Sequence, residues 1–332
     1  MIMKFKYILV FFIIFNLSIT AEDELTVMTY NLENFFDTLD DPGKDDKAYL
    51  PISSKQHKDH INACNKIRVS KWKNECLYLD WSETNKNKKL SNIISTIKSQ
   101  KKLPDVIAFQ EVENINVLKE IFNMLKGEGY VDYVLIEGND YRGIDNAYIS
   151  KYKIKQSKQH KIVFSPEFAT KDTRPILEAV IDFNGSPIHI YNVHFPAPYH
   201  PIGMRRDAFN TLKTLASSHI HPVIALGDFN VTSIEASSNK TFDTLDKDWD
   251  ISHIAGCAHC DGSHYYRRDD NWSFLDVIII KEQRGIVFND DTIDVIKTDF
   301  NTTKDNKPLS FNMNKGVGVS DHLPVVATII FQ

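Results

Sequence analysis

Positive charge is not in excess in this chain of 332 residues: 39 Lys and Arg stand against 44 Asp and Glu, a net of −5. Tight nucleic-acid binders are usually basic overall, because neutralising phosphates and releasing counterions supplies much of their affinity, so any basic surface here has to be local. No segment repeats at a fixed period, which sets solenoids and propellers aside. Cysteines number only four, as two local pairs, Cys64 with Cys76 and Cys257 with Cys260. The one long apolar run, at 7–15, is too short to cross a bilayer comfortably. Lys4 and Lys6 precede it, and Ser18, Ile19, Thr20 and Ala21 follow before an acidic stretch, which reads as a secretory signal peptide over residues 1–21. Its removal would leave 37 basic against 44 acidic side chains, a net of −7. A length of 332 residues with a hydrophobic share of 42% suffices for one large two-layered core and is short for two independent enzymes.

What is present is a recurring pattern in which an apolar strand run meets a polar group. The clearest case is P-V-I-A-L-G-D-F-N at 222–230. An uninterrupted apolar run reads as a strand buried on both faces, so its polar end belongs at a sheet edge. Gly227 lets the backbone approach a ligand closely, and Asp228 and Asn230, two residues apart, point the same way from an extended chain. The run at 25–30 leads likewise into Asn31, 105–109 into Gln110 and Glu111, and 188–193 into His194. Ser320, Asp321 and His322 precede a strand-like run at 325–330. Asp276 lies within S-F-L-D-V-I-I-I at 273–280, among residues that would otherwise all be core. Burying a lone carboxylate is costly unless it is paired, so Asp276 needs a partner, and a histidine is a good one.

Taken in order, Y-N-L, Q-E-V, N-V-H, G-D-F-N, S-F-L-D and S-D-H-L-P resemble the endonuclease/exonuclease/phosphatase superfamily over roughly residues 25–331. The resemblance implies an α/β fold, a four-layer α/β/β/α sandwich of two packed mixed β-sheets, with the site at the end where the sheets meet. It also implies hydrolysis of phosphoesters with Mg2+, Mn2+ or Ca2+ being the other candidates; oxygen ligands without thiolates suit such a hard ion. By the same resemblance Glu111 is the principal metal ligand, assisted by Asn31, with Asp321 close to the ion. Asp228 would orient or deprotonate the attacking water, and Asn230 would hold that water or the phosphate. His322, paired with Asp276, would contact the phosphate and assist proton transfer. His194 matches a second catalytic position, where deoxyribonuclease-like members carry His and abasic endonucleases Tyr. Four weaker matches follow. Glu33 falls at a position often acidic near the metal, and Asp145 in R-G-I-D-N at 142–146 is placed to support His194. Arg174 resembles a phosphate-facing arginine, and Arg267 beside Tyr265 and Tyr266 is a further candidate for phosphate contact. An exposed glutamate, a turn aspartate or a solvated basic face accounts for these nearly as well.

In an exported protein an even cysteine count favours disulfides, and the pairs Cys64–Cys76 and Cys257–Cys260 are the expected bridges; the rival is a zinc site at C-A-H-C, 257–260, with His253 or His264. Leu90, Ile93, Ile94 and Ile97 predict a helix after Lys88 and Lys89; Leu118, Ile121, Phe122 and Leu125 predict another ending at Gly127; Met204, Phe209, Leu212 and Leu215 predict a third over 203–217. The polar stretch at 37–87 reads as an insertion carrying one helix or two within a domain running from 22 to 332. His189, His219, His221 and His253 show no partner and are expected to be structural or solvated. The motif set serves nucleic acids, phosphoinositides and sphingomyelin alike. There is no Lys/Arg-rich signature of inositol phosphatases and no apolar hairpin for membrane docking. The expectation is therefore a secreted or periplasmic endonuclease with DNA, and secondarily RNA, as its nucleic-acid partner. A sphingomyelinase or phosphoinositide phosphatase is the alternative, and a catalytically silent binding domain the remaining one. No protein partner is indicated.

Overall fold

The apolar runs become strands of two six-stranded mixed sheets in the computed structural model, which describes residues 23–281 and 285–332. The signal peptide expected at 1–21 lies outside the described residues. The first sheet holds β1 (Asp23–Phe35), β2 (Val106–Val112), β3 (Asp132–Leu135), β4 (Asp145–Ser150), β13 (Ile286–Val295) and β14 (Val325–Phe331), in the order β13-β14-β1-β2-β4-β3. The second holds β5 (Ile154–His160), β6 (Ile176–Phe183), β7 (Ser186–His194), β8 (Val223–Asp228), β9 (Trp249–Ile251) and β12 (Asp276–Lys281), in the order β5-β6-β7-β8-β12-β9. A separate hairpin pairs β10 (His264–Tyr266) with β11 (Asn271–Ser273).

Each sheet contains one parallel pair flanked on both sides by antiparallel neighbours: β1 with β2 in the first, β7 with β8 in the second. A parallel connection needs a crossover, and a helix of sixteen residues supplies each one: α3 (Glu83–Lys98) between β1 and β2, α5 (Ile202–Ser217) between β7 and β8. The halves thus share a topology that no sequence repeat announces. Three apolar layers follow. Leu25, Val27, Ile278 and Ile329 pack between the sheets; Ile93, Ile97, Leu118 and Ile121 bind α3 and α4 (Ile115–Leu125) to the outer face of the first; Phe209 and Leu212 bind α5 to the outer face of the second. That is the α/β/β/α sandwich the resemblance implies. Each fully buried Leu or Ile contributes about 1.5–3 kcal/mol.

Helix α3 begins at Glu83, five residues before Lys88, because the Ser82 side chain accepts from the Asn85 amide and caps it. The stretch before it folds as α1 (Lys58–Asn65) and α2 (Ser70–Tyr78), clipped by the Cys64–Cys76 disulfide and anchored by buried Trp81, whose indole N–H donates to the Phe36 carbonyl. A four-residue helix, α6 (Ser252–Ala255), precedes the Cys257–Cys260 disulfide. Two bridged pairs suit an oxidising compartment. Among the described residues no helix is long and apolar enough to cross a membrane.

Candidate active site

The two parallel pairs bring their C-terminal ends to the same end of the sandwich. In the second sheet His194 stands level with Asp228 across the parallel β7–β8 ladder, and Asp276 stands level with Asp228 across the antiparallel β8–β12 ladder. In the first sheet Asn31 stands level with Gln110, beside Glu111. Several of these positions leave ordinary strand geometry: Glu33, Asn34, Glu111 and Asn230 all have positive φ, between 48° and 61°. Such backbone is costly away from glycine and concentrates where a side chain has to be aimed. At Gly227, with φ 144°, a Cβ would run into the Val193 carbonyl, so only glycine lets β8 lie this close to β7.

The side chains knit the sheets together. Asn31 Nδ2 donates to Asp228 Oδ2 at 3.1 Å, and the Asn31 Oδ1 accepts from the Glu33 amide at 2.9 Å. Glu111 Oε2 accepts from the Asn34 amide at 2.9 Å, and Glu33 Oε2 accepts from the Asp321 amide at 3.0 Å. Asp228 Oδ1 accepts from the Asn230 amide at 2.9 Å, while Asn230 Nδ2 donates to the Phe195 carbonyl at 3.1 Å. His194 Nε2 lies 3.5 Å from Asp228 Oδ2 and 3.8 Å from Glu111 Oε1. His322 Nδ1 is bonded to Asp276 Oδ2 at 2.7 Å, which leaves Nε2 facing Asp321 Oδ1 at 3.8 Å and Asp228 Oδ2 at 4.0 Å. Those gaps exceed hydrogen-bond length, so Nε2 makes no hydrogen bond to either carboxylate.

Charge follows from burial and neighbours. Burial alone would lower the pKa of His322, but Asp276, Asp321 and Asp228 outweigh it and hold the ring well above the usual histidine range, as a cation. His194 is the opposite case: burial, then Arg174, Arg142 and the His322 charge, keep its ring neutral. Burial raises Asp228 to about 7, opposed by His322 and reinforced by Asp276 and Glu111. Burial and Asp321 raise Glu33 to about 8. Protons on these carboxylates stand where a cation is electrostatically wanted, and the donors around them are oxygens without thiolates. That set fits a hard divalent ion held by Glu111, with Asn31 and Asp321 at hand.

Asn31, Glu111, His194, Asp228, Asn230, Asp276, Asp321, His322 and Glu33 therefore meet. Other expected positions do not join them in that way. Asp145 accepts from the Gly138 amide at 2.8 Å and so holds a turn, not His194. Arg174 is fixed by the Phe195 carbonyl at 3.2 Å and by Asp140 at 3.5 Å, and still contributes to the field at His194. Exposed Arg267 reaches back to the Pro308 carbonyl at 3.1 Å. Cys257 and Cys260 form a disulfide, so the zinc alternative with His253 or His264 is not what the structure holds.

Residues to which the sequence assigned no part in this site also serve it. Lys89, 2% exposed, donates to the Glu33 carbonyl at 2.7 Å beneath Glu33, Glu111 and Asp321. Its spacing of four from Ile93 and of eight from Ile97 puts it in the apolar stripe of α3, which is the readable signal of a buried lysine. Gln110 Nε2 donates to Asn192 Oδ1 at 2.7 Å, and Asn192 Nδ2 donates to the Phe109 and Ala147 carbonyls at 2.9 Å, a fully buried polar link between the sheets below the site. The His264 ring lies 4.8 Å from that of His322, and burial pushes its pKa down to about 3. Arg205, 1% exposed, is paired with Glu235 and donates to the Pro196 and Ala197 carbonyls, tying the segment after His194 to the segment after Asn230.

A family model described as the endonuclease/exonuclease/phosphatase family matches residues 26–330. No curated protein sequence matches the chain. Among solved structures, D. rerio TDP2 complexed with a single-strand DNA product is similar at TM-score 0.58 and 13% identity, covering 93% of this chain and 99% of that one. An endonuclease/exonuclease/phosphatase family protein from Bacteroides thetaiotaomicron is similar at TM-score 0.57 and 16% identity, over 94% and 100%. A protein of the same description from Leptotrichia buccalis gives TM-score 0.55 and 18% identity, over 92% and 100%. At these identities the likeness concerns the fold.

Proposed function

The chain belongs to the endonuclease/exonuclease/phosphatase family, and from that premise we propose that it is a secreted, Mg2+-dependent phosphodiesterase, an endonuclease that cuts DNA. One observation carries the reading: a cationic His322, locked at Nδ1 by Asp276 at 2.7 Å, faces Asp228 across a gap that Asn31 and Glu111 close from the other sheet. A divalent ion on Glu111, Asn31 and Asp321 would polarise the phosphoryl oxygens and offset their charge. The residues do the rest. Asp228 takes a proton from the attacking water, for which a pKa raised to about 7 is well matched. As the water oxygen bonds to phosphorus, the ester bond to the leaving oxygen breaks, and His322 Nε2 supplies the proton that oxygen needs. Asn230 and neutral His194 orient the water and the phosphate through hydrogen bonds rather than charge.

Export is supported by the basic and apolar N-terminal stretch and by the two bridged cysteine pairs. DNA is the first substrate to try because a relative of the same fold was solved with a single-strand DNA product. The test is to incubate the chain with plasmid DNA, RNA, sphingomyelin and a phosphoinositide, each with Mg2+ and with chelator. Chelator-sensitive nicking of plasmid is the expected result. Release of choline phosphate or inorganic phosphate, with DNA left intact, would replace the nuclease reading by one of the lipid alternatives.

A further inference from the structure

On the outer face of the second sheet, away from the catalytic end, one carboxylate gathers three histidines. The β5–β6–β7 register sets Glu178 opposite Lys158 on one side and Tyr191 on the other, with His160 and His189 two rows away on the same face. Glu178 Oε2 lies 2.6 Å from His160 Nε2, and Oε1 lies 2.7 Å from His189 Nδ1. His219, just past the end of α5, brings Nε2 to 3.5 Å from Glu178 Oε1 and 2.8 Å from the Tyr191 hydroxyl. In the sequence His189 and His219 show no partner and are expected to be structural or solvated; the fold supplies Glu178 to both, and His160 joins them. His189 precedes His194 by five residues on β7, roughly 17 Å along an extended strand, so this cluster is separate from the catalytic groups.

Here the His189 and His219 rings are stacked with centroids 3.5 Å apart, and two imidazolium ions that close would repel. A carboxylate and two imidazoles whose ligand atoms lie within 4.8 Å of one another are the donor set of borderline divalent ions, in contrast to the oxygen donors at the catalytic end, and the stacked rings have to turn apart for both to face one ion.

We propose that Glu178, His189 and His219 bind a divalent transition-metal ion of the Zn2+ type, with His160 orienting the carboxylate through its other oxygen. Metal–nitrogen and metal–oxygen bonds of about 2.0–2.2 Å at tetrahedral angles put ligand atoms about 3.3 Å apart. The Glu178–His219 separation of 3.5 Å is already there. The Glu178–His189 hydrogen bond at 2.7 Å has to open by about 0.6 Å as the ion takes the place of its proton. A shallow depression of about 350 Å3 lined by Gln156, Ser157, Lys158, Glu178 and Val180 opens beside the Glu178 carboxylate.

The test is to titrate the disulfide-bonded chain with Co2+ as a spectroscopic probe and displace it with Zn2+. One tightly bound Co2+ per chain with the intense d–d bands of a low-coordinate site is expected. The signal should survive Glu111→Gln, disappear in Glu178→Gln and in His219→Ala, and weaken in affinity about 10–100-fold in His160→Ala. His219 lies in a surface segment, and circular dichroism of its variant verifies the fold. Absence of the bands, their persistence in folded His219→Ala, or their loss in Glu111→Gln or in a Cys257→Ser/Cys260→Ser variant would each overturn the proposal. Because Glu111→Gln separates the two sites, its outcome does not depend on the phosphodiesterase reading.

Discussion

Replacing Asp276 by Asn keeps the shape of the side chain and removes the charge that holds His322 protonated. The bond at stake is the 2.7 Å contact between Asp276 Oδ2 and His322 Nδ1, both groups being nearly inaccessible to water. Removing one member of such a buried pair costs about 3–5 kcal/mol. An asparagine oxygen still accepts from Nδ1, and its amide nitrogen takes the place of Asp276 Oδ1, a buried atom without a hydrogen-bond partner. With that charge gone, burial is opposed by Asp321 and Asp228 alone and the pKa of the ring falls. Because His322 is raised in the folded state, its contribution to stability is complete below the unfolded value of about 6.5 and is lost as pH rises through the higher folded value. The stability difference between wild type and Asp276→Asn should therefore be largest near pH 6 and shrink in alkali. Turnover should fall about 10²–10⁴-fold, the usual worth of a positioned acid or base, and the alkaline limb of the pH–rate profile should move toward acid by a unit or more. Denaturant melts at several pH values and a pH–rate series read both effects. A variant that keeps the wild-type alkaline limb and rate would refute the pairing as the source of the acid.

Arg205→Met strips Glu235 of its partner and frees the loop after His194, so unfolding free energy should drop by about 3–5 kcal/mol in denaturant melts; a loss below 1 kcal/mol would contradict its anchoring role. The Cys64→Ser/Cys76→Ser variant opens a loop with a sequence separation of 12 and should lose about 2–3 kcal/mol, measured the same way. Protons on Asp228 and Glu33, held up to about 7 and 8, compete with a divalent cation, so its affinity should rise between pH 5 and pH 8; calorimetry giving equal affinities at both would count against the acidic cluster as its site.

Much of this arrangement is written in short stretches of chain. The run ending in Gly227, Asp228 and Asn230 announces a strand end by local apolar continuity, and the same holds for Glu111, His194 and Asp276. Asp276 demands a partner on desolvation grounds alone, and His322 is that partner. What stayed hidden depends on which strands pair and how far apart they are in sequence. Asp145 lies near the right place, but a turn amide seven residues away captures its carboxylate. Lys89 is a surface residue by type and a core residue by helical phase. Glu178 and His219 are 41 residues apart and meet only because β6, β7 and the end of α5 share one face. The matching directions of the two sheets are likewise a property of hydrogen-bonded ladders, not of recurring residues.

The convergence of acidic strand ends from both sheets on a single hard cation is tested most directly by titrating the chain with Mn2+ and reading the free ion by paramagnetic resonance. One Mn2+ per chain, competed by Mg2+, is expected, with binding abolished in Glu111→Gln and weakened in Asp321→Asn but retained in His219→Ala. A chain that binds no Mn2+, or binds it equally well after Glu111→Gln, would contradict the account.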